Sequence, residues 1–191
     1  MKKLEPSDVL DLTSYERVRE KYRARIIELK RPRRIQVGEQ LTFVFENRDT
    51  VLFQIQEMTR AERLVKEEDI RAELDIYNEL IPDDHALSAT LMIEIADAER
   101  IRPELDRLIG IDEHVSLQIG DEVVSASFDP KQFEQERISA VQYIRFPLGR
   151  ELARRFSDPT PVVLRVDHPS YSAAAPIEGA SRASLAADLA S

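Results

Sequence analysis

The sequence predicts an α+β protein: a mostly antiparallel sheet with helices packed on one face, an N-terminal amphipathic helix and a loose Ala/Ser-rich C-terminal tail. Three patterns favour this class. Residues 41–46 alternate at period two and are rich in aromatic and β-branched side chains, which is typical of a strand. Residues 51–58 then carry apolar side chains at helical spacing. Further on, two alternating runs at 115–119 and 124–128 flank a Gly-Asp pair, the clearest hairpin pattern in the chain.

The predicted N-terminal helix covers residues 13–30. Thr13 and Glu16 have the spacing of a capping box, and Pro32 would end the helix. Its apolar residues fall at alternating steps of three and four and form a narrow seam. Such a seam suits a partner helix, so we expect a homodimer contact, although the same residues would also pack on the chain's own sheet. The seam residues are Tyr15, Val18, Tyr22, Ile26 and Leu29.

A polar elbow at residues 46–50 separates the central strand from a predicted helical pair over residues 50–81. Asn47 or Asp49 can accept hydrogen bonds from the first turn of the helix. An elbow at the carboxyl end of a strand is also a common place for a ligand site. Arg48 and Asp49 are therefore candidate site residues, and the alternative is that they form only an ion pair and a cap.

The length of 191 residues fits one α+β domain, which we place at residues 1–171. Further strands are predicted at residues 87–95, 138–147 and 162–166, and prolines around the last of these place it near a sheet edge. Residues 172–191 consist mainly of Ala and Ser. This composition cannot build a core of its own, so we expect a flexible tail.

Charge is distributed unevenly along the chain. The formal net charge is −9, yet residues 1–36 hold 11 Lys/Arg against 6 Asp/Glu. The acidic remainder argues against a general nucleic-acid binder, which usually has a broad basic face. The cations from Arg17 to Arg34 leave a weak nucleic-acid contact open, while acids interleaved at helical spacing favour a solvated face.

The chain contains no cysteine, which excludes disulfides and cysteine-ligated iron–sulfur or zinc sites within it. No apolar run approaches the roughly 20 residues that span a bilayer. The N-terminus lacks the apolar core of a signal peptide. We therefore expect a cytoplasmic protein without a membrane contact.

Catalytic motifs are missing from the sequence. The 5 glycines form no phosphate-binding loop, and no nucleophile elbow is present. Each of the 3 histidines directly follows an acid, a spacing that does not suit metal ligands on a helix. We predict no cofactor and no metal. A metal site assembled from distant residues would draw on Glu57, Glu79, Glu94 and His85.

Polar residues inside apolar patterns are the remaining candidates for a catalytic site. Buried polar groups need partners, so a buried Arg145 with Glu57 or Glu94 would form a polar centre. The alternative is that these residues alternate towards solvent. The candidate catalytic residues are Arg48, Asp49, Glu57, Glu94 and Arg145.

The stretches ENRDTVLFQIQEM, YNELIP, LSATLMIEI and ISAVQYIRFPL carry a family resemblance. They resemble an uncharacterised bacterial family catalogued as domain of unknown function 3501, and the resemblance covers residues 1–148. This family has no catalytic residues to transfer onto the chain. Genes of the family often lie beside rubrerythrin-type and iron–sulfur proteins, which implies an intracellular redox or peroxide-stress setting.

A non-enzymatic accessory or protein-interaction protein is the function that these patterns favour. The resemblance implies an iron–sulfur or rubrerythrin-like redox protein as its partner. Two alternatives remain open. An enzyme with a carboxylate/arginine site at the elbow would need a deep pocket with convergent polar groups. A nucleic-acid contact through the basic N-terminal helix would need an affinity that depends on salt.

Overall fold

The computed structural model describes residues 1–129, 133–134 and 137–190. Within this part of the chain, six α-helices and two larger antiparallel sheets form an α+β fold, which confirms the predicted class. None of the helices in the described ranges is long and apolar enough to cross a membrane. The helices are α1 (Leu12–Lys30), α2 (Arg48–Glu62), α3 (Glu67–Tyr77), α4 (Ile101–Arg107), α5 (Gly149–Arg155) and α6 (Gly179–Leu189).

The strands form two main sheets and a small ribbon. In chain order the strands are β1 (Arg34–Val37), β2 (Leu41–Glu46), β3 (Ala86–Ile93), β4 (Val115–Ile119), β5 (Glu122–Ser125), β6 (Ser127–Phe128), β7 (Phe133–Glu134), β8 (Arg137–Ile138), β9 (Val141–Pro147), β10 (Val162–His168) and β11 (Tyr171–Pro176). The first sheet has the order β1-β2-β3-β9-β6, and the second has the order β11-β10-β4-β5. β7 pairs with β8.

The two sheets share the main hydrophobic core. Phe43 and Phe45 of β2 lie in this core together with Leu117 of β4 and Leu164 of β10. The chain passes from one sheet to the other at Ala126, because β5 pairs with β4 and β6 pairs with β9. We predicted a single sheet, since alternation reveals which side of a strand is buried but not the sheet to which the strand belongs.

Helices lie on both sides of the first sheet, where we predicted helices on one face. α4, α5 and α6 bury Leu105, Ala153 and Leu185 in the main core. α2 and α3 bury Val51, Ile55 and Leu74 in a smaller apolar cluster, against which Tyr143 of β9 packs. Ile144, the next residue of β9, belongs to the main core instead. Successive side chains of a strand point to opposite faces, so α2 and α3 lie on the face of the first sheet that points away from the main core. We call it the outer face.

The C-terminal segment forms a strand and a helix, where we predicted a flexible tail. β11 pairs with β10 along its length, and this makes β10 an interior strand rather than an edge strand. Ile177, Leu185 and Leu189 are all buried in the main core. The prediction rested on the high content of Ala and Ser, whereas the packing of this segment on the core depends on these three larger side chains. Residue 191 lies outside the described residues.

The start of α1 differs from the predicted capping box. Asp11 is the N-cap, and its Oδ1 accepts the backbone N–H groups of Thr13 and Ser14 at 2.9 and 3.0 Å. α1 therefore begins at Leu12, one residue before the predicted cap Thr13. One aspartate satisfies two of the free N–H groups of the first turn, so a threonine cap is not needed.

The predicted seam on α1 is mainly a contact within the chain. Tyr15 and Ile26 are buried. The ring of Tyr22 packs edge-on against Tyr15 and against a phenylalanine of α2, with ring centroids 6.1 and 5.8 Å apart. Leu29 is partly buried, and Val18 is exposed. Because this side of α1 already meets α2, the expected homodimer stays a prediction that needs a different surface.

Candidate functional site

The elbow between β2 and α2 is built around a helix cap. Asn47 is the N-cap: its Oδ1 accepts the backbone N–H of Thr50 at 3.0 Å, and the Thr50 hydroxyl accepts the backbone N–H of Asn47 at 2.9 Å. This reciprocal pair satisfies two backbone donors at the start of α2. Of the two predicted caps, Asn47 is therefore correct.

The charged residues of the elbow have separate partners. Arg48 Nη2 lies 2.7 Å from Asp8 Oδ1 of the N-terminal arm. Asp49 Oδ2 lies 2.9 Å from Arg25 Nη2 on α1. The side chains of Arg48 and Asp49 therefore contact different elements, and the elbow does not bring them together at one site.

The remaining candidate catalytic residues are also held in separate ion pairs. Glu94 pairs with Arg34. Arg145 Nη2 lies 2.8 Å from Glu79 Oε2. Glu57 is bound by α1 residues instead. The predicted polar centre of Arg145 with Glu57 or Glu94 is therefore not formed, because sequence spacing does not show which of many acids an arginine will meet.

The proposed metal donors are equally dispersed. Glu57, Glu79 and Glu94 each take part in a different ion pair. In the part of the chain that the structure describes, no group of three or more His, Asp or Glu side chains could hold a metal ion.

Glu57 joins α2 to α1. Arg19 donates to it through Nε at 2.8 Å and Nη2 at 2.7 Å, and the hydroxyl of Tyr15 donates at 2.7 Å. The hydrogen bonds from Arg19 are the main reason that the pKa of Glu57 falls from 4.5 to about 2, and burial partly opposes them. Burial and the hydrogen bond to Glu57 raise the pKa of Tyr15.

Glu57→Gln is expected to destabilise the protein by about 1.5–3 kcal/mol at neutral pH, the range for hydrogen bonds to charged groups. The pKa of Glu57 is lower in the folded state than in the unfolded state. The stabilisation that its carboxylate contributes is therefore complete above pH 4.5 and is lost as the pH falls towards about 2. Urea unfolding at a series of pH values measures the loss. The exposed Glu62→Gln on the same helix is the control, and a gap between wild type and Glu57→Gln that stays constant with pH would contradict the assignment.

A groove lies between the C-terminal half of α1, helix α2 and the outer face of the first sheet, and we call it the α1–α2 groove. Its volume is about 650 Å³. Small-molecule sites typically have volumes of about 300–1,000 Å³, so the groove is large enough for a ligand of that size.

The floor and walls of the groove are mostly apolar. Val44 and Met92 come from the outer face of β2 and β3, Ile26 and Ile27 from α1, and Phe53 from α2. Ile27 is exposed at the edge of the groove. Covering such surface is favourable by about 25 cal/mol per Å² of apolar area, so the groove favours an apolar ligand body.

Four cationic side chains border the groove: Arg23, Lys30, Arg31 and Arg34. Arg31 is 72% exposed and pairs with its neighbour Glu28. Arg23 forms no ion pair with any residue that the structure describes. Lys30 pairs with Glu46 and Arg34 with Glu94. The four cations nevertheless outnumber the single acid that lines the groove, Glu46, so the lining is positively charged in a protein whose net charge is −9.

Glu46, the last residue of β2, brings a buried carboxylate to the groove. Its side chain is 3% exposed. Oε1 accepts the hydroxyl of Thr90 at 2.8 Å, while Oε2 has no hydrogen bond within the described part of the structure. Lys30 Nζ lies 3.8 Å from Oε2. Buried polar atoms are usually satisfied, so Oε2 is an unused acceptor at the groove.

Gln54 extends the polar end of the groove towards β9. Burial raises the pKa of Tyr143 on β9, the carboxylate of Glu46 raises it further, and a hydrogen bond with Gln54 opposes them. The groove thus combines an apolar floor, a cationic mouth and a polar end.

Neither the groove nor a binding role for Glu46 was predicted. Glu46 was expected only as part of the elbow, and the cations of α1 were expected on a solvated face or in a weak nucleic-acid contact. A signal was present in the alternation of β2: Glu46 shares a face with Val44, and a helix follows directly after it. A helix packed on that face buries both side chains.

A second cavity of about 650 Å³ lies between α3, β6 and β9. Arg145 lines it together with its ion-pair partner Glu79. Its lining has three acids, Asp75, Glu79 and Asp129, against this single cation, so the cavity lacks the excess of cations that distinguishes the α1–α2 groove.

The fold and the groove define an α+β protein with a cation-bordered, largely apolar groove on its helix-covered sheet. The chain belongs to the family described as "Protein of unknown function (DUF3501)", which matches residues 3–189. This confirms the resemblance and extends it over the C-terminal segment. A solved structure from Burkholderia pseudomallei, titled as a novel protein of unknown function, is 38% identical over 98% of this chain and 100% of that chain, with a TM-score of 0.92. The comparison with curated proteins found no match.

Proposed function

We propose that the protein is a non-enzymatic accessory protein that acts by binding, and that the α1–α2 groove is its binding site. The ligand is an anionic amphiphile, a molecule with an apolar body and a negatively charged head. The observation that carries this proposal is the apolar floor of the groove beneath a border of four cations.

Each part of such a ligand finds a complementary surface. The apolar body covers Val44, Phe53 and Met92 and leaves water, which is the main driving force for association. The anionic head meets Arg23 and Arg31, and hydrogen bonds between arginine and an anion are stronger than those between neutral groups. The cations also set the orientation, because they place the head at the mouth.

The positions of the charged residues favour binding over the two alternatives. Catalysis at the elbow would require convergent groups, whereas Arg48 and Asp49 lie in different ion pairs. A nucleic-acid contact would require many available cations. Arg33 is instead 1% exposed and Arg19 22% exposed, so neither presents its charge to a large polyanion.

The setting of this accessory role is a further part of the proposal. The family resemblance supports a place beside rubrerythrin-like or iron–sulfur redox proteins in peroxide stress. We also place the protein in the cytoplasm as a homodimer. The chain contains no cysteine, so any cysteine-ligated cluster belongs to the partner protein.

Decanoate is a suitable probe, because it combines an apolar chain with one carboxylate. The double variant Arg23→Glu with Arg31→Glu is expected to weaken decanoate binding by about tenfold, since each exposed charge contributes up to about 1 kcal/mol and 1.4 kcal/mol is a factor of ten. Isothermal titration calorimetry measures both affinities. Decyltrimethylammonium, with a similar chain and the opposite charge, should bind the wild type more weakly than decanoate.

The matched control is Arg17→Glu with Lys21→Glu, which makes the same change in charge at residues of α1 that do not line the groove. Screening by salt should limit its effect on affinity to about twofold. Equal losses in the two double variants would show attraction by overall charge and contradict a site in the groove. No binding of decanoate to the wild type would refute the proposal itself.

A further inference from the structure

The α1–α2 groove contains an acceptor that an apolar chain and an anionic head would leave unused. Glu46 Oε2 is buried and has no hydrogen bond with any described residue, although Oε1 of the same carboxylate accepts from Thr90 at 2.8 Å. A buried carboxylate oxygen without a donor is unfavourable, so a ligand that supplies a donor gains affinity over one that does not.

We infer that the groove selects an anionic amphiphile with a hydroxyl or amide N–H donor next to its charged head, and that Glu46 recognises this donor. The inference rests on the proposed function and narrows the class of ligand. It assigns Glu46 a specificity-determining role that is separate from the attraction exerted by the cations.

Lys30 explains how a ligand reaches this acceptor. Its Nζ lies 3.8 Å from Glu46 Oε2, which is longer than a hydrogen bond, and its side chain is 31% exposed. An anionic head draws the flexible ammonium group away from Glu46. The donor of the ligand then binds Glu46 Oε2 from the side that Lys30 has left. The long contact between Lys30 and Glu46 is thereby replaced by two shorter ones, from Lys30 to the anionic head and from the donor to Glu46.

The position of these two residues defines the ligand more closely. Because Lys30 and Glu46 are adjacent, the anionic group and the donor must be adjacent on the ligand as well. A 3-hydroxy acid has this arrangement. A neutral donor fits better than an ammonium group, because Arg23, Lys30 and the other cations at the mouth repel a positive charge.

Three ligands of equal chain length test the inference by calorimetry: decanoate, 3-hydroxydecanoate and 3-methoxydecanoate. The methoxy compound keeps the oxygen but cannot donate. Wild type is expected to bind 3-hydroxydecanoate about tenfold more tightly than either of the others, as one hydrogen bond to a charged acceptor allows. In Glu46→Met the three affinities should agree to within about twofold, because the acceptor is gone.

A second variant keeps the test decisive if Glu46→Met does not fold. Lys30→Met should lower the affinity for all three ligands but preserve the preference for the hydroxyl compound. Equal affinities of the wild type for the three ligands overturn this inference and leave the proposed function intact, whereas failure of all three to bind overturns both. A hydroxyl preference that persists in folded Glu46→Met, or disappears in Lys30→Met, also overturns it.

Discussion

Removal of residues 171–191 is expected to prevent folding. The truncation deletes β11 and α6, and with them Ile177, Leu185 and Leu189 from the main core. Each of these side chains contributes about 1.5–3 kcal/mol when buried. Their sum is comparable with the whole free energy of unfolding of a typical domain, about 5–15 kcal/mol.

Circular dichroism and urea unfolding of the truncated protein measure this effect. The expected result is loss of the cooperative transition. A shorter truncation that removes only residues 190–191 keeps all three core side chains and should unfold like the parent. If the long truncation unfolds cooperatively at an unchanged urea concentration, the C-terminal segment is dispensable and the packing described above is wrong.

Arg33→Met is expected to destabilise the protein by about 3–5 kcal/mol, as is typical when one partner of a buried ion pair is removed. Arg33 is 1% exposed and pairs with Asp188 of α6, which is 10% exposed. It also donates to the backbone carbonyl oxygens of Phe45 at 2.8 Å and Glu46 at 3.1 Å. The variant takes a charged donor away from all three groups at once.

A double-mutant cycle in urea separates the ion pair from the loss of packing. Asp188→Leu combined with Arg33→Met should cost less than the sum of the single variants, because no charge is then left buried against an apolar partner. Arg31→Met is the matched control: Arg31 is 72% exposed, so its loss should cost less than about 1 kcal/mol. A loss in Arg33→Met as small as in the control would contradict the buried pair.

Local periodicity explains why much of the fold was predictable. The strand at β2, the hairpin of β4 and β5 and the helices α1 and α2 each follow from a repeat of two or of 3.6 residues in neighbouring positions. Contacts between distant positions leave no such trace. Arg33 and Asp188 are 155 positions apart, and nothing in the spacing of either residue indicates the other.

The candidate site was less predictable for the same reason. The sequence shows cations on α1 and a glutamate at the end of β2, but the groove arises only where α1 crosses the outer face of the first sheet. The predicted candidates Arg48, Asp49 and Arg145 are charged residues near apolar patterns, and each forms an ion pair with a different residue of opposite charge. An ion pair and a binding site draw on the same residue types.

Amide chemical-shift mapping during a titration of the nitrogen-15-labelled protein with decanoate tests most directly whether the α1–α2 groove binds anionic amphiphiles. The predicted shifts cluster at residues 23–34, from the C-terminal end of α1 to the start of β1, and at the outer-face residues Val44, Glu46 and Met92. Shifts that cluster instead around the cavity at Arg145, or that spread evenly over the protein, would contradict the claim.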